Sequence, residues 1–184
     1  MRTMRVSNIG EATCSVARAL GAIGDAWTLL ILRELFLGQH RFEEFQAQTG
    51  MAPYLLSRRL AKLLAQGIVT RIAYRQRPTR YEYRLTEKGL DLHAVVVSLA
   101  RWGDRWEAGP AGAPLTLIHK ACGQETRPVL ACSACGQPVG PRDLRARIGP
   151  AMQAERAANR ARFRARTRRK PSDPAAEKTG ASIP

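Results

Sequence analysis

Residues 53–88 constrain the fold most, because their apolar period changes partway along while their charge stays cationic. From Pro53 to Gln66, Leu56, Leu60 and Leu63 recur at spacings of four and three, which is one face of a helix. Pro53 suits the first helical position, where its missing N–H has no helical partner to lose, and Gly67 stops the run. At about 100° per residue, Tyr54, Arg58, Ala61 and Lys62 point away from that face, with Ser57 on the border. Two β-prone runs follow, Ile68–Tyr74 and Arg80–Leu85, joined by a turn containing Pro78. In the second, Tyr81, Tyr83 and Leu85 alternate with Arg80, Glu82 and Arg84, as in a half-buried strand. The segment holds nine Lys and Arg against two acidic residues. The pattern predicts a helix with one buried and one basic face, leading into a basic hairpin.

Three short helices are predicted before it. Residues 14–24 place Val16, Leu20 and Ile23 on one face. Trp27–Leu37 (WTLLILRELFL) reads as a mostly buried helix that Gly38 ends. In Arg41–Thr49, Phe42 and Phe45 face inward. After the hairpin, Thr86 is placed as the N-cap of one long helix, Glu87–Trp106. There Leu92, Val95, Leu99, Trp102 and Trp106 recur at 3, 4, 3, 4, the seam of a helix that pairs with another helix. The chain shows no internal repeat.

The predicted fold class is α+β: a mostly α winged helix-turn-helix over residues 9–108 with a long dimerisation helix. A small zinc-ribbon-like module (115–140) and a basic, partly disordered tail (141–184) follow. A major groove admits a helix, and only the exposed face of that helix reaches base edges. Arg58 and Tyr54 lie near the N-terminal end, where recognition helices touch bases. Arg58 has the geometry to bond a guanine edge, and Ser57 or Lys62 to hold phosphates. Arg59 joins the same DNA-binding set. The hairpin tip offers Arg75, Arg77, Thr79 and Arg80 to the backbone or the minor groove, where Arg is favoured.

Charge agrees with such a partner. The formal net charge is +15 over 184 residues, which calls for a polyanion, nucleic acid or an anionic membrane. Residues 1–140 hold 18 basic and 11 acidic residues, and residues 141–184 hold 12 and 4, so the tail carries just over half of the excess. Its evenly placed Arg lacks the apolar face of a membrane-lying helix and suits sequence-independent contact with phosphates. No apolar run reaches the ~18 residues that span a bilayer, and the N-terminus lacks the apolar core of a secretory signal. The expectation is a cytoplasmic protein without a membrane partner. No enzyme is expected: there is no phosphate-binding Gly loop, and His40, His93 and His119 are far apart.

Several motifs occur in the order of a known family. Cys14-Ser15-Val16-Ala17-Arg18-Ala19-Leu20 and Ile23-Gly24-Asp25-Ala26-Trp27-Thr28-Leu29-Leu30-Ile31-Leu32-Arg33-Glu34-Leu35 resemble the opening of the HxlR-type transcriptional regulators. So do Gly38, Arg41-Phe42, Leu56-Ser57-Arg58-Arg59-Leu60, Gly67-Ile68-Val69-Thr70-Arg71, Tyr83-Arg84-Leu85-Thr86-Glu87-Lys88-Gly89 and Leu99-Ala100-Arg101-Trp102-Gly103. The resemblance covers about residues 14–106. It implies a homodimeric, MarR-related winged-helix regulator on a roughly palindromic double-stranded DNA operator, with dimer contacts from terminal helices. Gly24-Asp25-Ala26-Trp27 departs from the family's Gly-Gly-Lys-Trp-like stretch. Some members sense electrophiles or oxidants through a cysteine at the position of Cys14, so the resemblance admits a sensor role there. A small packing residue, a common fate of free Cys, is the other reading. The effector itself is not encoded in any motif.

Beyond the linker Gly109–Pro114, His119, Cys122, Cys132 and Cys135 stand in the spacing H-x2-C-x9-C-x2-C, each pair followed by Gly. Four N/S ligands in two tight turns make the closed tetrahedral set of a structural zinc ion. A module of ~25 residues buries too little to fold alone, so a metal would supply the missing stabilisation. Three alternatives stay open: His119 is unrelated, two Cys pair as a disulfide, or the turns persist without metal. A zinc-dependent RNA-binding or adaptor protein is the second functional class that the pattern allows.

Overall fold

The structure, a computed structural model, describes residues 6–168. A 3-10 turn at Val6–Glu11 leads into α1 (Ser15–Ile23), α2 (Ala26–Phe36), α3 (Phe42–Thr49) and α4 (Pro53–Ala65). Two antiparallel strands follow, β1 (Val69–Gln76) and β2 (Thr79–Leu85). Val69 faces Leu85 at their base and Gln76 faces Thr79 at the tip, with a register shift between Ala73 and Arg75. Then come α5 (Glu87–Leu90), α6 (His93–Trp106), the two-residue strands β3 (Leu117–Ile118) and β4 (Glu125–Thr126), and α7 (Pro150–Arg168). The winged helix is therefore present. The end of the expected partly disordered tail, 169–184, lies outside the described residues.

The core forms where the apolar spacings converge. Ile31, Leu32 and Leu35 of α2, Phe45 of α3, and Leu56, Leu60 and Leu63 of α4 are buried together with Met51, Ile68 and Val69. Each buried Leu or Ile contributes on the order of 2 kcal/mol of apolar transfer. This core fixes which side of α4 is left outside.

Two expectations are corrected. The long helix predicted from Glu87 to Trp106 is broken into α5 and α6 at Asp91 and Leu92. Thr86 does cap the first piece, its hydroxyl accepting from the Gly89 amide at 3.2 Å. Gly89 is pressed onto the wing's base, where a Cβ would stand 2.2 Å from the Ile68 carbonyl oxygen. That contact pins the first turn, and the chain re-aims before α6. Leu92, placed in the seam of the predicted long helix, lies in the break and packs with Val96 against the core. A short repeat is also present where none was expected. Ala121-Cys122-Gly123-Gln124 recurs as Ala134-Cys135-Gly136-Gln137, a pairing too short to register as a fold-sized period.

Candidate nucleic-acid interface

The outer face of α4 carries Tyr54, Ser57 and Arg58, all exposed. Tyr54 is 73% exposed, and the Arg58 guanidinium lies 5.7 Å from its ring centroid. Both project from the first two turns of the helix, free of the core.

Arg59 and Lys62 differ from expectation. Arg59 is turned back, and its guanidinium donates to the Asp25 carboxylate at 2.7 Å. The Lys62 ammonium donates to the Gly21 carbonyl at 3.0 Å, so it is half-buried rather than outward-facing. The reason is local. Asp25 caps α2, accepting from the Thr28 amide at 3.1 Å, and the α1–α2 corner offers acceptors along the flank of α4. Asp25, one of two residues that depart from the family's usual stretch, is thus the one that captures Arg59.

The hairpin β1–β2 stands out from the body, with every residue of β1 after Val69 exposed. At its tip, Arg75 Nε donates to the Arg77 carbonyl at 3.1 Å and the Thr79 hydroxyl to the Gln76 carbonyl at 3.2 Å. Arg80 reaches Glu43 at 3.6 Å. The base is held by contacts that sequence reading missed. Arg41 pairs with Glu82 at 3.0 Å and lies 4.5 Å over the Tyr74 ring. The Tyr83 amide donates to the His40 carbonyl at 2.8 Å, and Tyr83 meets Phe45 edge-on. Arg84 also pairs with Glu82 at 2.7 Å. Hydrogen bonds from Arg84 and Arg41 hold the Glu82 carboxyl below the usual carboxylate range. No spacing rule marks a pair 41 residues apart.

Cys14 is the N-cap residue of α1 and is partly exposed. Arg18 donates to Ser15 Oγ at 3.1 Å. His93 packs edge-on against Phe36 at 5.1 Å, a structural placement. In the cysteine module, His119 Nδ1 lies 3.3 Å from Cys122 Sγ. Hydrogen bonds from the Ala134 and Cys135 amides, with a further one from the Cys135 side chain, lower the Cys132 thiol below its ordinary value. The structure brings each pair together but not the two pairs: among the described residues no group of three or more His, Cys, Asp or Glu side chains is gathered for one ion. The described part of the basic tail contains α7, whose Glu155 accepts from the Thr13 amide at 3.2 Å. No single described helix is long and apolar enough to cross a membrane.

Known proteins share this arrangement. The HxlR-like helix-turn-helix family matches residues 22–109. An uncharacterised HTH-type transcriptional regulator of Mycobacterium bovis is 42% identical over 145 residues, spanning 79% of this chain and 92% of its own. A crystallised protein classed as a transcription factor superposes with a TM-score of 0.67 at 32% identity, covering 79% of this chain and 100% of that one. A second, from Pseudomonas aeruginosa, gives a TM-score of 0.55 at 34% identity, covering 77% and 99%. The likeness to the first relative is longer than the winged helix itself. The chain belongs to the HxlR-like helix-turn-helix family of transcriptional regulators.

Proposed function

We propose that this regulator binds a roughly palindromic operator as a homodimer, each α4 entering a major groove of one half-site. The observation that carries the reading is the outer face of α4: Tyr54, Ser57 and Arg58 are exposed on a helix whose opposite side is locked into the core. Arg58 bonds a guanine edge, for which a forked guanidinium is suited, while Ser57 and Tyr54 touch the backbone beside it. Arg59 and Lys62 support the helix from behind through Asp25 and the Gly21 carbonyl. Arg75, Arg77, Thr79 and Arg80 at the hairpin tip lie along phosphates or in the adjacent minor groove. The basic helix α7 adds affinity without reading sequence.

The second copy docks on α6. Val95, Leu99, Trp102 and Trp106 form an exposed apolar row on a helix with no buried residue, while Val96 on its inner side and Leu92 just before it pack on the core. An apolar stripe of this spacing on a soluble helix matches the seam of a paired helix. Cys14, at the partly exposed start of α1, is the site at which thiol-reactive effectors act. The test of the whole reading is selection of DNA from a random duplex pool by the full chain. A two-fold symmetric motif whose half-sites lie about one helical turn apart is the expected result. A pool that never departs from random sequence rejects it.

A further inference from the structure

We propose that His119, Cys122, Cys132 and Cys135 bind one Zn2+ ion through one nitrogen and three sulfurs, closing the two turns of the 115–140 module onto each other. The proposal does not depend on how the winged helix reads DNA.

The two turns have one geometry. In the first, the His119 amide donates to the Gln124 carbonyl at 2.9 Å and the Gly123 amide to the His119 carbonyl at 2.7 Å. In the second, the Cys132 amide donates to the Gln137 carbonyl and the Gly136 amide to the Cys132 carbonyl, both at 2.8 Å. Gly123 and Gly136 both take the left-handed conformation, φ 69° and 73°, which a side chain would oppose. Every pairing is displaced by thirteen residues. His119 and Cys132 are therefore equivalent positions, as are Cys122 and Cys135. That equivalence separates His119 from an unrelated polar residue: it stands where its twin is a thiol.

The first ligand pair also stands at a metal-binding distance. Zinc bonds of ~2.0 Å to nitrogen and ~2.3 Å to sulfur, at a tetrahedral angle, put the two ligands about 3.5 Å apart. His119 Nδ1 and Cys122 Sγ are 3.3 Å apart, so the first pair has nearly the bite that one ion needs. The nitrogen facing the sulfur is Nδ1, which assigns it as the ligand. Cys132 and Cys135 occupy the matching positions of the second turn, whose backbone bonds repeat those of the first.

The module also has almost no apolar interior of its own. No residue from 115 to 140 is buried, Ile118, Val129 and Leu130 are over half exposed, and both strands are two residues long. A segment this short with no buried residue usually needs a cross-link, a metal or a covering partner to keep its shape, and four N/S ligands supply the second of these. The nine residues between Cys122 and Cys132 span up to ~30 Å when extended, so the chain does not prevent the pairs from meeting. On binding, the three thiols lose their protons to solvent and His119 ligates as the neutral ring, leaving a site of net charge −1. No coordination position stays open for water, so the ion's role is to hold the module. Arg101 of α6 donates to the Pro128 carbonyl, so the module it holds is fastened to the helix proposed for dimerisation.

The experiment uses the full untagged chain, purified in a non-chelating reductant and dialysed against metal-free buffer. Zinc is counted by elemental analysis, and Co2+ is then exchanged in as a spectroscopic probe. One zinc per chain and near-ultraviolet thiolate-to-cobalt charge transfer are expected. Cys132→Ser/Cys135→Ser abolishes both while the winged helix keeps its thermal transition. His119→Ala lowers zinc affinity at least tenfold against a chromophoric chelator, and His119→Cys restores it. A wild-type chain with less than a tenth of an equivalent of zinc and no cobalt charge-transfer band overturns the proposal. So does a double variant that keeps its metal. Unchanged affinity in His119→Ala overturns the ligand set. The wild-type spectrum decides on its own if a variant fails to fold.

Discussion

The Arg59 guanidinium and the Asp25 carboxylate meet at 2.7 Å across 34 residues of sequence, joining the flank of the recognition helix to the start of α2. The other carboxylate oxygen accepts from the Thr28 amide, so one side chain both caps a helix and holds its neighbour. Asp25→Ala removes the cap and strands a guanidinium whose Nε is already buried without a partner. A loss of about 1–2 kcal/mol is expected, seen as a fall of several degrees in Tm. Arg59→Ala lowers Tm as well, and in the double variant the two losses add to less than their sum. Strictly additive losses would show that the pair is not coupled.

Arg58 and the wing divide specificity from affinity. Arg58→Ala is expected to cost about 1–3 kcal/mol on the selected operator and little on scrambled duplex. Arg77→Ala weakens both equally and reduces the slope of log affinity against log salt by about one. Fluorescence anisotropy at several salt concentrations measures both. If Arg58→Ala weakens the two duplexes alike, the outer face of α4 does not read bases.

The helix and hairpin at 53–88 were legible because each has its own period, and the core obeyed it: Leu56, Leu60 and Leu63 are all buried. What periodicity does not encode is where a long cation ends. Lys62 sits on the side of α4 that a helical wheel calls exposed, yet its four-carbon stem reaches back to the Gly21 carbonyl. Arg41 likewise read as the edge of a short helix, and its pairing with Glu82 exists only once α3 and β2 are side by side. The break before α6 was illegible for a related reason. It follows directly on Gly89, which sits against the Ile68 carbonyl, a contact between segments that no window contains.

Cys14 is separable from the module's thiols by substitution. After diamide treatment the wild-type chain is expected to lose operator affinity, and Cys14→Ser to keep it. The readout is a gel shift with and without subsequent reduction. If Cys14→Ser is released as readily as wild type, the responsive thiol is among Cys122, Cys132 and Cys135.

Acid should loosen the α2–α3 corner. Glu44 accepts from the His40 and Arg41 amides at 2.8 Å each, and these two bonds, the His40 one first, hold its carboxyl below the ordinary value of 4.5. Because the folded value is depressed, the stabilisation is complete above about pH 4.5 and is lost as pH falls through the folded value. Glu82, lowered by Arg84 and Arg41, acts in the same direction. Urea midpoints are therefore expected to stay level in this respect from pH 7 to 5 and to fall below that. Glu44→Gln starts lower and declines less steeply, and an equally steep decline would remove Glu44 from the account.

The two sides of α6 make the dimer testable without touching the core. Leu92 and Val96 pack inward and His93 rests on Phe36, whereas Leu99 and Trp102 remain 51% and 55% exposed in the single chain. A charge at Leu99 or Trp102 stays solvated in the monomer and is desolvated only when a second copy covers the row. Leu99→Glu is therefore expected to yield a folded monomer by light scattering, with far-ultraviolet dichroism like the parent's. Operator affinity should fall more than tenfold, since two linked half-site contacts become two independent ones. Half-site affinity should stay nearly unchanged, because α4 and the wing are untouched. A Leu99→Glu chain that remains dimeric would move the interface off α6.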